Sequence, residues 1–184
     1  MQLLILPGFE NSGAAHWQSL WQAEDHSMIR VEQRDWSLPV RDEWVDQLER
    51  VVSAQTKPVV LIAHSLGCST VVHWANTAVH VGKCVAALLV APGDLDRPVT
   101  NTAVSTFAPM PMRRLPFVST LVASTNDAYC AFARSDWFAR AWGSKLVNAG
   151  DSGHINAASG LADWPAGKEL LAALITEGLA HRKL

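Results

Sequence analysis

Short, unbroken apolar runs alternate with segments of helical spacing, and this alternation restricts the fold more than any other feature of the sequence. The runs are Leu3–Leu6, Met28–Val31, Pro58–Ala63, Cys84–Ala91, Phe117–Ala123 and a weaker Lys145–Val147. A strand with one wet face alternates apolar and polar residues, whereas a strand covered on both faces reads as a continuous run. Between the runs, Arg41–Ala54 sets Trp44, Val45, Leu48, Val51 and Val52 near helical period, with its charges elsewhere. Leu66–Ala78 and Ala128–Trp142 read as further helices, and Pro165–Ala180 opens with proline in its first turn. Strand and helix in alternation predict a parallel sheet with right-handed crossovers, an α/β sandwich of three layers. About six parallel strands in the order 2-1-3-4-5-6 would put the first and third side by side at a switch point.

The sequence shows no repeat, low-complexity segment or linker, so residues 1–184 read as one domain. The most irregular stretch is Pro92–Pro116, whose prolines predict a surface excursion with one short helix. It is too short for a helical cap domain, and no other insertion is longer.

Composition removes several classes of function. Only 17% of residues are charged and nearly half are hydrophobic, which argues against extended disorder. A formal net charge of −2 gives no reason to expect nucleic acid or an anionic membrane as partner. No run approaches the roughly 18 apolar residues that span a bilayer. The opening "MQLLILPGFE" lacks the basic region and cleavage site of a signal peptide. Cys68, Cys84 and Cys130 are odd in number and irregularly spaced, and read as reduced thiols of a cytoplasmic protein. Neither metal-ligand spacing nor a phosphate-binding glycine motif is present, so chemistry without metal or cofactor is expected.

In an open parallel sheet, ligands bind beyond the carboxyl ends of the strands. One such end is "VVLIAHSLGCST", where an apolar run halts at His64-Ser65-Leu66-Gly67 before a helix. Ala63-His64-Ser65-Leu66-Gly67 departs by one methyl group from G-x-S-x-G, the turn that exposes a nucleophilic serine between strand and helix. The pentapeptide is short enough to arise by chance; the β-branched run before it and the helix after it strengthen the match. A helix starting there would aim the Leu66 N–H at an oxyanion.

A serine hydroxyl needs a base, and the base needs a group to orient it. Of seven histidines, His154 alone lies in a polar glycine-rich loop after the sixth strand, in "GDSGHINAASG". His16 and His26 precede Ser65, His64 adjoins it and points away across a tight turn, and His73, His80 and His181 belong to helical or terminal segments. For the acid, Asp127 ends the fifth strand and falls between Ser65 and His154, the order Ser–Asp–His found in this architecture. Its rivals are Asp94 and Asp96 after the fourth strand, and the ordinary reading of Asp127 is a helix cap for Ala128 onward. In "LPGFENSGAAHW", Gly8 would let the backbone come close to Ser65, making the Phe9 N–H the second oxyanion donor beside Leu66.

These four segments, "LPGFENSGAAHWQSLW", "AHSLGC", "ASTNDAYC" and "GDSGHINAASG", resemble the retinoblastoma-binding protein nine and YdeN family of small serine hydrolases. They run in family order over nearly the whole chain. The resemblance implies a compact α/β-hydrolase core without a large lid, a triad at Ser65, Asp127 and His154, and hydrolysis of ester-like substrates. Eight tryptophans also call for explanation. Trp21, Trp44, Trp74 and Trp142 fall in helices and read as core. Trp17, Trp36 and Trp164 fall near the expected site, where they either wall an apolar acyl pocket as substrate-binding residues or pin loops to the sheet. The expectation is a serine hydrolase acting on a small ester, thioester or amide through an acyl-enzyme. The alternative is an interaction module on the same fold, against which the intact Ser65, Asp127 and His154 argue.

Overall fold

A computed structural model describes residues 1–97 and 102–182. Residues 98–101, within the proline-rich excursion, lie outside the described residues. The strands are β1 (Gln2–Leu6), β2 (Ile29–Arg30), β3 (Val59–His64), β4 (Cys84–Val90), β5 (Val118–Ala123) and β6 (Lys145–Asn148). The helices are α1 (Trp17–Glu24), α2 (Arg41–Ser53), α3 (Leu66–Thr77), α4 (Phe132–Trp142) and α5 (Pro165–His181). The strands form one six-stranded sheet in the order β2-β1-β3-β4-β5-β6. Every neighbouring pair is parallel. This is the topology expected from the alternation in the sequence.

The continuous apolar runs are explained by burial on both faces. Along β3 successive side chains point to opposite sides, as a period of two requires. Val59, Leu61 and Ala63 join Leu48, Val52, Val71, Trp74, Phe138 and Trp142, the layer of α2, α3 and α4. Val60 and Ile62 join Trp17, Trp21, Leu171 and Leu174, the layer of α1 and α5. Trp21, Trp44, Trp74 and Trp142 are each no more than 2% exposed, the core role expected of them.

Three boundaries differ from the sequence reading. The second strand shrinks to Ile29–Arg30, at the sheet edge, where Ile29 is exposed. Helix α1 goes unbounded in the sequence because its eight residues offer only a short apolar stripe. It starts where the His16 ring accepts the Gln18 N–H. Helix α4 begins at Phe132 rather than at Ala128, because Asp127 accepts the Tyr129 N–H and holds the chain in a turn. Among its described residues the proline-rich excursion contains one short 3-10 helix, Thr102–Phe107.

The register of β1 and β3 sets up the site. Leu6 pairs with Ala63, so the loops leaving both strands emerge side by side. The buried Gln18 amide donates to Leu6 O at 3.2 Å and Ile62 O at 3.0 Å, tying the two strand ends together.

Candidate active site

Ser65 is the single residue between β3 and α3, and its backbone is strained. Its φ of 53° and ψ of −120° are sparsely populated by residues with a side chain, at a cost of about 1–3 kcal/mol. Two features hold it there. Its N–H donates to Val90 O at 2.9 Å, and two glycines let the neighbouring backbone pack against it. A Cβ on Gly67 would stand 2.3 Å from Leu6 O, and one on Gly8 would stand 2.8 Å from the Ser65 Cβ. The elbow and the loop after β1 therefore touch backbone to backbone, as the glycines predict.

The three residues singled out in the sequence meet here. His154 Nε2 is 2.9 Å from Ser65 Oγ, and Nδ1 is 2.8 Å from Asp127 Oδ2 and 3.1 Å from Oδ1. The Asp127 carboxylate is 3% exposed and the His154 ring 12%, so the chain runs from a shielded acid to an accessible hydroxyl. Asp127 also fills the ordinary role, but as acceptor for the turn at Tyr129 rather than as the cap of α4. Asp94 and Asp96 are engaged elsewhere. Asp94 takes Arg134 Nε at 3.2 Å, and Asp96 pairs with the same guanidinium while accepting the Met110 N–H.

The N–H groups of Phe9 and Leu66 have no hydrogen-bond partner among the described residues. Both belong to the segments that meet at Ser65, and a Cβ on Gly8 would be 3.3 Å from the Leu66 nitrogen. Free donors beside a nucleophile are what a developing oxyanion requires. Beside them lies an apolar cluster of Trp44, Leu66, Val104 and Phe107, onto which the partly exposed Phe9, Trp36 and Leu95 pack.

The tryptophans divide. Trp36 keeps partial exposure against that cluster. Trp17 is 1% exposed and Trp164 6%, and their rings pack together at 5.1 Å. The Trp17 indole donates to Ile155 O at 2.8 Å, and the Trp164 ring lies over Gly167 so closely that a Cβ there would be 2.2 Å away. Both pin loops and offer a substrate no wall. The physical reason is that α1 and α5 bring the two indoles against one face of the sheet.

Several contributors escape sequence reasoning because only the fold brings their segments together. His64 Nε2 donates to the backbone carbonyl of His154 at 2.9 Å. Ser124 accepts the Ser152 N–H at 2.9 Å and Asn126 accepts the Gly153 N–H at 2.7 Å, joining the Asp127 loop to the His154 loop. Ile155, a β-branched residue at φ 47°, is fully buried and turns the loop so that His154 faces Ser65. His16, buried beside His64 at 4.7 Å between ring centroids, leaves its Nε2 without a partner. Burial first, then Arg30 and His154, lowers its pKa from 6.5 to about 4. Burial likewise holds His64 well below the ordinary range. A cleft of about 790 Å³ lies at the opposite end of the sheet, lined by Arg114, Phe117, Lys145 and Glu177, away from these groups.

Comparison with known proteins agrees with the fold and gives the family. No curated protein matches the chain. A structure from Pectobacterium atrosepticum assigned as a YdeN-like hydrolase is 30% identical, with TM-score 0.85 over 96% of this chain and 91% of that one. The ydeN gene product of B. subtilis has TM-score 0.78 at 19% identity, over 95% and 98% of the two chains. Est1E from Butyrivibrio proteoclasticus shares the fold at TM-score 0.70 and 12% identity, over 97% and 88%. The sequence pattern of the family described as serine hydrolase matches residues 3–173, and the chain belongs to that family.

Proposed function

We propose that this serine hydrolase cleaves small carboxylic esters through an acyl-Ser65 intermediate, with His154 as base and Asp127 as its orienting acid. The observation that carries the reading is the unbroken path from Asp127 through His154 to Ser65 Oγ, beside two free N–H donors. His154 Nε2 takes the hydroxyl proton as Oγ bonds to the ester carbonyl carbon. The oxyanion is received by the Phe9 and Leu66 N–H groups, and the proton passes to the departing alcohol oxygen as its C–O bond breaks. Water then enters and gives its proton to His154 as its oxygen bonds to the acyl carbon; His154 returns that proton to Ser65 Oγ as the Oγ–acyl bond breaks and the acid leaves. The acyl group lies toward Phe9, Trp36 and Leu95, the exposed edge of the apolar cluster around Leu66. The same route serves thioesters and amides; the small, open apolar edge favours a short acyl chain.

A fluorophosphonate tests it. The reagent should modify Ser65, and Ser65→Ala should remove all labelling. An adduct mapped by mass spectrometry to Ser69 or Ser152 would overturn the assignment.

A further inference from the structure

Among the described residues two rings contact the His154 imidazole. His64 lies at 5.0 Å between centroids and is buried, whereas Tyr129 lies at 4.5 Å and is 58% exposed. Tyr129 is the chain's single tyrosine. Its backbone is held at both ends: its N–H donates to Asp127 Oδ1 at 2.8 Å, and its carbonyl accepts the Asp94 N–H at 3.0 Å. An aromatic ring on a backbone held at two points is thus left largely uncovered, next to the group that handles the proton.

That position has a consequence for the substrate, resting on the acyl-enzyme reading given above. The reacting carbon carries an acyl chain and a leaving group, which must occupy different sides of the site. The acyl side is apolar and adjoins the two N–H donors at Phe9 and Leu66. The leaving oxygen must come within hydrogen-bond reach of His154 Nε2 to receive its proton. Whatever that oxygen bears therefore leaves past the imidazole, against which the largely exposed Tyr129 ring lies at 4.5 Å. We propose that Tyr129 is a specificity-determining residue whose ring stacks on the leaving group, so that the protein prefers esters of alcohols carrying a flat aromatic ring. In the acylation step the Ser65 Oγ–acyl bond forms and the ester C–O bond breaks, with the hydroxyl proton ending on the aryl-bearing alcohol.

Benzyl acetate and cyclohexylmethyl acetate separate this from a merely supporting role. They share the acyl group and have leaving alcohols of like size and basicity, one ring flat and the other puckered. An aromatic pair favours the flat ring by roughly 2- to 10-fold in kcat/KM. The ratio should survive Tyr129→Phe and fall to near unity in Tyr129→Leu. Equal kcat/KM for both esters in the unaltered protein, or a Tyr129→Leu variant that slows both alike and keeps the ratio, would overturn the assignment while leaving the ester reading standing. If neither these esters nor p-nitrophenyl acetate is hydrolysed faster by the unaltered protein than by Ser65→Ala, the ester reading falls and takes this inference with it.

Discussion

His64 donates its Nε2 proton to the backbone carbonyl of His154 at 2.9 Å, so the residue before the candidate nucleophile holds the residue facing that nucleophile. The acceptor is a carbonyl, which fixes the His64 tautomer with its proton on Nε2. The next carbonyl, Ile155 O, is held by Trp17. Two consecutive peptide groups of the loop are thereby clamped from below by buried side chains. His64→Leu should keep the fold and lower kcat about 10- to 100-fold through misplacement of His154, with KM little changed. His64→Gln, which restores a donor, should recover part of the loss. Steady-state kinetics on one ester check both.

Asp127 and Asp94 make opposite predictions. Asp127→Asn should lower kcat by roughly 10⁴-fold, because an amide stabilises the wrong tautomer of His154 and gives no charge to an imidazolium. Asp94→Asn removes a partner of Arg134 and should leave kcat within a few-fold. Circular dichroism on both variants separates lost chemistry from lost structure.

Gly67 and Gly82 provide a paired test of the close approach at the elbow. A Cβ on Gly67 meets Leu6 O at 2.3 Å, a backbone atom of a central strand that cannot move aside, whereas one on Gly82 meets nothing within 4 Å. Gly67→Ala should cost about 3 kcal/mol or more, a fall in Tm of about 6 °C or more. Gly82→Ala should leave Tm within about 2 °C of the unaltered protein. Thermal unfolding followed at one wavelength is sufficient.

His16 makes stability depend on pH with a definite sign. Its folded-state pKa of about 4 lies below the 6.5 of the unfolded chain, so between those values the unfolded state binds more protons. Stability therefore falls as pH drops from 6.5 toward 4, by about 3 kcal/mol from this group over the window. His64, depressed by burial, acts in the same direction. Urea midpoints measured from pH 7 to pH 4 should decline less steeply in His16→Asn than in the unaltered protein.

Chain length reports the shape of the acyl side. Trp36 and Phe9 are only partly buried there, so methylenes beyond the first few gain little of the ~0.8 kcal/mol that full burial of each would give. Short p-nitrophenyl esters should show higher kcat/KM than decanoate or longer ones. A kcat/KM that climbs steadily to decanoate would reveal a deep acyl tunnel instead.

The sequence alone determined the order of the strands, because apolar periodicity is a local property. A continuous run such as Val59–Ala63 suits a strand covered on both sides, and such runs alternating with helical segments leave a parallel sheet as the economical solution. It also made Ser65, Asp127 and His154 visible, since each lies in the segment leaving the carboxyl end of its strand and those ends share one edge of a parallel sheet. Tertiary structure decided the rest. Trp17 and Trp164 have the same composition-level signature as Trp36, and only the packing of α1 and α5 onto one face buries them as anchors. The His64 clamp, the Ser124 and Asn126 bridges and the exposed Tyr129 ring against His154 join residues from different loops. Such pairings arise from distances that the fold sets between strand ends, and no local pattern in the chain encodes them.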